Sequence, residues 1–190
     1  MINGGIYFEE VEQNIQGPFL SSDFANDVEL KKTFESIKEK IVQTKLKEEE
    51  ILNTVYDHLR VIKYLYDSPR KERLKNIKRL VRIGPLVFRL GGICCYQAFT
   101  VCVILEKLLL SGDLRGKVFY ANGKGHGWPL YLSKKDDNLY ILDTTQGKFF
   151  NLNREKDRTF CGYEEKDGKE IYGRFKYIDY LTPQIVLYKP

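Results

Sequence analysis

The chain has 190 residues, 43% of them hydrophobic and 30% charged, with a formal net charge of +5. That length and balance predict one water-facing globular unit whose core needs no disulfide staples. The longest uncharged apolar run, residues 91–105, carries Tyr96, Gln97 and Thr100 and falls short of the roughly 20 apolar residues that a membrane span requires, so no membrane span is expected.

Met1 leads into acidic Glu9, Glu10 and Glu12 without the basic start and apolar stretch of a secretory leader, which predicts a chain that is cytoplasmic as synthesised. Four cysteines, Cys94, Cys95, Cys102 and Cys161, are sparse for a disulfide framework. No two of them stand at the spacing with which thiolates grip a zinc ion, so no structural metal is expected.

In chain order, the first amphipathic stretch opens at Asp23 and places Phe24, Val28, Phe34, Ile37, Ile41 and Leu46 at helical spacing. A second helix is predicted over 48–66 on Ile51, Leu52, Val55, Leu59, Ile62 and Leu65, ended by Ser68-Pro69. A third, basic helix is predicted over 70–83 on Leu74, Ile77 and Val81, broken by Gly84-Pro85. Between Arg60 and Leu90 ten basic residues face only two acidic ones, while the first 59 residues hold six lysines against twelve acidic residues. The basic stripe reads first as a solvated helix face. Its other readings are a field that steers an acidic protein substrate, or a face for a membrane surface or nucleic acid, the last disfavoured because no aromatic interleaving or nucleic-acid module accompanies it.

Residues 93–110 are apolar almost all round, which signals a buried central helix. After Ser111-Gly112-Asp113 come short β-type runs at 117–121, 128–133, 138–142, 148–152, 171–178 and 184–188, separated by polar turns. Helices first and strands after predict an α+β fold with an antiparallel sheet.

The chain has two histidines. His58 sits within the second helix and reads as an ordinary half-buried histidine. His126 stands in Gly-His-Gly-Trp at a strand edge, after a glycine-rich turn. Cys94 and Cys95 follow a Gly91-Gly92 break at the start of the central helix, where the partial positive charge of unpaired backbone N–H groups favours a thiolate. Cys95, Ala98, Phe99 and Cys102 fall on one apolar stripe and leave Cys94 nearest the open end. Helix position alone leaves a nucleophile and a pair of small buried thiols as equal readings of Cys94 and Cys95. A histidine that takes a thiol proton needs an acceptor on its other ring nitrogen. Asp143, ending a strand able to pair with the one that starts near Trp128, is the natural candidate.

Four segments together resemble the transglutaminase-like superfamily: Gly92-Ile93-Cys94-Cys95-Tyr96-Gln97-Ala98, Arg115-Gly116-Lys117-Val118-Phe119, His126-Gly127-Trp128 and Leu142-Asp143-Thr144-Thr145. Cysteine, histidine and aspartate come in that family's order. The resemblance covers 91–150 and implies a papain-like core: a nucleophile helix against a small antiparallel sheet, here a single domain, 1–190, in which a helical extension (1–90) precedes the catalytic core (91–190). It places the catalytic roles on Cys94, His126 and Asp143, with Gly125, Gly127 and Trp128 as substrate-binding neighbours, and it implies no cofactor.

The chain departs from the family pattern at Thr144, where proline is usual, at Gly127, where alanine is commoner, and at Ile93, where a polar residue is usual. Phe88 stands where papain-type proteases carry the glutamine that polarises the substrate carbonyl, so an oxyanion would rest on backbone N–H groups. The run Leu142-Asp143-Thr144-Thr145-Gln146-Gly147-Lys148 is similar to the aspartate region of some bacterial effector glutamine deamidases, which implies delivery to a host cell. The expected activity is thiol chemistry on an amide or acyl carbon of a protein or peptide: glutamine deamidase, transglutaminase or thiol protease. The competing expectation is a transglutaminase-like binding module without catalysis.

Overall fold

The computed structural model describes residues 19–21, 24, 26–62, 80–82, 84–123, 126–154, 156–157, 176–179 and 185–187. The architecture is α+β. Strand β1 (Phe19–Ser21) is followed by helices α1 (Val28–Thr44) and α2 (Glu48–Leu59), strand β2 (Leu80–Arg82) and a π-helical turn (Pro85–Leu90). Helix α3 (Cys94–Leu110) then leads into β3 (Gly116–Gly123), β4 (His126–Ser133), β5 (Leu139–Asp143), β6 (Lys148–Asn151), β7 (Lys176–Asp179) and β8 (Ile185–Leu187). Strands β3 to β8 form one sheet in the order β6-β5-β4-β3-β7-β8, every described pairing in it antiparallel.

Helix α3 has so little polar surface because it is the centre of the core. Val101, Cys102, Ile104, Leu105 and Leu108 are fully buried, each such aliphatic side chain contributing about 1.5–3 kcal/mol relative to exposure. One sheet face supplies Val118, Tyr120, Tyr131, Tyr140 and Leu142 to the same core, and α2 adds Leu52, Val55 and Leu59. The other face carries a second cluster of Trp128, Leu130, Leu139, Ile141 and Leu152. The Tyr131 hydroxyl donates to Glu48 and the Ser133 hydroxyl lies 3.2 Å from the same carboxylate, which pins the start of α2 to β4. His58 links helices: Nδ1 meets the Thr54 carbonyl at 2.8 Å and Nε2 the Ser36 hydroxyl at 3.5 Å.

Several boundaries differ from the periodicity. Helix α1 begins at Val28 rather than Asp23 because Asp27 caps it, accepting from the Leu30 N–H at 3.2 Å. The other carboxylate oxygen of Asp27 accepts from Gly84 N–H at 2.8 Å, so the cap also fastens α1 to the approach of the π-helical turn. Phe24 lies before the helix, its ring edge-on to Phe34 with centroids 5.3 Å apart. Helix α2 stops at Leu59, seven residues short of the expected end.

The predicted third helix is corrected at its C-terminal end: Leu80–Arg82 is a strand, paired in parallel with Phe19–Ser21. Leu74, Ile77 and the stripe residues 70–79 lie outside the described residues, as do Gly125 and Cys161. The strand predicted over 171–178 is described at 176–179. Among the described residues no helix is long and apolar enough to cross a membrane.

Candidate active site

The site forms where the start of α3 meets the adjacent strands β4 and β5. Cys94 is the first residue of α3, after Ile93 in extended conformation, and Ile93 offers no side-chain acceptor to the first-turn N–H groups. No side chain therefore caps the helix start, and the helix dipole favours negative charge at Cys94. His126 opens β4 and Asp143 closes β5. Their strands pair through Leu130 with Ile141 and Leu132 with Leu139, which carries the two side chains to the same end of the sheet.

His126 Nε2 lies 2.5 Å from Asp143 Oδ2. Asp143 is 1% exposed, and its Oδ1 accepts from the Thr145 N–H at 3.1 Å, the Thr145 hydroxyl at 2.7 Å and the Gln146 N–H at 3.1 Å. One oxygen of the carboxylate thus closes its own turn while the other holds the imidazole. With Nε2 engaged, Nδ1 is the ring nitrogen left for the hydrogen bond that joins His126 to the Cys94 sulfur. The Trp128 indole, 3% exposed, stacks on the imidazole with centroids 5.5 Å apart and shields it from water.

The electrostatics separate the adjacent thiols. The Cys94 pKa is drawn down to about 4, chiefly by the hydrogen bond from the Cys95 thiol, with His126 and the Gly127 N–H adding to it and burial opposing. Cys95 is pushed well above the ordinary thiol range by that same hydrogen bond, by burial and by the charge on Cys94. The two shifts run in opposite directions, Cys94 toward the thiolate and Cys95 toward the neutral thiol. Burial works to lower the His126 imidazole, but the hydrogen bonds and charges of Asp143 and Cys94 outweigh it and raise the pKa to about 9. Between those values the pair stands as thiolate and imidazolium.

Cys95 is half-buried where it packs against the core, and Cys94 is 9% exposed. Cys102 is fully buried, its sulfur 3.7 Å from the Phe119 carbonyl.

Gly127 has a reason of its own to lack a side chain. A Cβ there would stand 2.1 Å from the Tyr120 hydroxyl and 2.7 Å from the ring carbon bearing it, so the buried Tyr120 ring occupies the volume a side chain would need. Tyr120 keeps its proton, because burial pushes its hydroxyl well above the ordinary range. A Gly127→Ala variant is accordingly expected to lose about 1–3 kcal/mol of stability by overpacking, read as a lowered midpoint in urea unfolding. An unchanged midpoint would show that the ring has room to move.

The structure therefore brings together Cys94, His126, Asp143, Gly127 and Trp128. Sequence reasoning missed Cys95 as a hydrogen-bond donor to its neighbour, Thr145 as a support of the aspartate, Tyr120 as the reason for Gly127, and the buried Gln97. Thr145 had a visible signal, since a hydroxyl two residues after an aspartate is suited to an Asx-type turn. Among the described residues no group of three or more His, Cys, Asp or Glu is gathered to hold a metal. No family model, curated protein or solved structure matches this chain.

Proposed function

We propose that the chain is a cysteine-nucleophile enzyme with a papain-like core in its transglutaminase-like form, acting on an amide or acyl carbon of a protein or peptide. The observation that carries this reading is the line from Cys94 through His126 to Asp143, in which one thiol of an adjacent pair holds the charge and the imidazole faces a buried carboxylate. A thiolate, a general acid–base and an orienting carboxylate are the parts nucleophilic acyl transfer requires.

The Cys94 thiolate attacks the carbonyl carbon, and the resulting oxyanion is held by backbone N–H groups at the start of α3. The tetrahedral centre collapses as the C–N bond breaks, and the departing amine or ammonia takes the His126 proton. The thioester is then attacked by water or a second amine, whose proton returns to His126, and the Cys94 thiolate is released. Water as acceptor gives deamidation or proteolysis; an amine gives cross-linking. The described helices α1 and α2 contribute none of the three groups and belong in this scheme to substrate choice.

The test mixes the protein with a blocked glutaminyl dipeptide and with dimethylated casein, following ammonia release, incorporation of a fluorescent primary amine, and the intact mass of the enzyme after acid quench. A thioester on Cys94 with ammonia release, amine incorporation or chain cleavage supports the reading; absence of adduct and product from both probes counts against it. Turnover should hold between about pH 4 and 9. It falls at the acid end as Cys94 gains a proton and loses its nucleophile, and at the alkaline end as His126 loses the proton owed to the leaving group. Initial rates across that range check both limbs.

A further inference from the structure

Thr144 stands where the resembled family pattern has proline, and the fold shows what that hydroxyl does. Its Oγ1 donates to the Gln97 side-chain oxygen at 3.1 Å, in a buried contact between residues 47 positions apart. The Gln97 amide nitrogen donates in turn to the Gly92 carbonyl at 3.3 Å and to the Ile62 carbonyl at 3.2 Å. Gln97 is 1% exposed and Thr144 7% exposed. One buried amide thus joins the chain beyond α2, the glycine break before the nucleophile, the first turn of α3 and the residue after Asp143. Gln97 follows Cys94 by three residues, so it lies one helical turn on, while Thr144 is covalently next to the carboxylate that holds His126.

We propose that Gln97 and Thr144 are a pair of positioning residues that set the distance between the nucleophile helix and the histidine–aspartate pair. This rests on the reading of Cys94 as the nucleophile. The amide touches neither Cys94 nor His126 in the described contacts; it acts by clamping the two backbone segments that carry them. Cys94 and His126 are hydrogen-bonded across the junction between α3 and the sheet, and small displacements at such a junction are felt steeply in the chemistry. Thr144 therefore ties the turn after Asp143 to α3.

The experiment measures iodoacetamide alkylation of Cys94 against pH in the wild type and in Thr144→Val, Thr144→Ser and Gln97→Leu, with thermal unfolding of each. Valine matches threonine in shape and lacks the hydroxyl, so Thr144→Val should stay folded and shift the alkylation midpoint upward, lowering the rate below the midpoint severalfold. Thr144→Ser, which keeps the hydroxyl, should restore the wild-type midpoint. Gln97→Leu should move it further, by about tenfold in rate for each pH unit, and adding Thr144→Val to it should bring little more, because both cut the same contact.

Midpoints that match the wild type in a folded Thr144→Val, with only the unfolding temperature lowered, would reduce the pair to ordinary packing and overturn the proposal. Should Gln97→Leu fail to fold, because it leaves two carbonyls without their donor, the two Thr144 variants decide. An ordinary thiol midpoint in the wild type itself would instead count against Cys94 as nucleophile, so the two failures are distinct.

Discussion

A Cys94→Ala variant is expected to lose turnover by about 10⁶-fold, the scale on which removal of a covalent nucleophile acts, while Cys95→Ala retains most of it. The contrast follows from the division of roles between adjacent thiols. Cys94 holds the negative charge, and Cys95 donates to it and stays protonated. Removing the donor takes away the largest influence that lowers Cys94, so the acid limb of the Cys95→Ala profile should move up in pH while the plateau survives. Rates for both variants on one substrate, with the pH profile of the second, separate the two cysteines. Equal losses in the two variants would mean that the charge is not confined to Cys94.

The next largest effect belongs to Asp143. Asparagine in its place keeps an oxygen able to accept from Thr145 and Gln146, so the turn should persist, but it turns an N–H donor toward His126 Nε2. The imidazole then loses the acceptor that fixes its orientation and supports its charge. Asp143→Asn is expected to lower turnover by about 10⁴-fold, the scale of the same replacement in a hydrolytic triad. The alkaline limb should fall from about 9 toward the ordinary histidine value near 6.5. Asp143 raises the imidazole pKa, so loss of its charge lowers it, with burial still lowering and Cys94 still raising it. A profile with its alkaline limb still near 9 would place the stabilising charge elsewhere.

What the sequence discloses and what it conceals divide along the distance between partners. Helix α3 was legible because its apolar residues surround it, a local pattern that burial requires. The approach of His126 to Asp143 was legible because a hairpin of short strands brings residues 17 apart to one end of a sheet. The start of α1 was not, because Asp27 is selected as cap partly by Gly84, 57 residues away. The strand at Leu80–Arg82 has the local pattern of a helix end because its partner, Phe19–Ser21, lies 61 residues earlier and leaves no mark on local periodicity.

Within the site, a helix N-terminus marks a place for a thiolate, whereas the hydrogen bond from Cys95 depends on how the fold sets the two thiols. Gln97 was visible only as one residue of a motif, since its three partners come from separate parts of the chain. Gly127 and Thr144 registered as departures from a pattern. The Tyr120 ring and the Gln97 amide are the physical reasons for them, and neither can be read without the packing.

On the proposed reading Cys94 is a thiolate at neutral pH because Cys95 and His126 hold it so. The measurement that tests it most directly is the pH dependence of iodoacetamide alkylation of the folded wild-type protein, with the modified residue identified by peptide mass mapping. Rapid modification confined to Cys94, with a midpoint near pH 4, is the expected result. Slow modification that rises only near pH 8 to 9, or modification centred on Cys95, would contradict it.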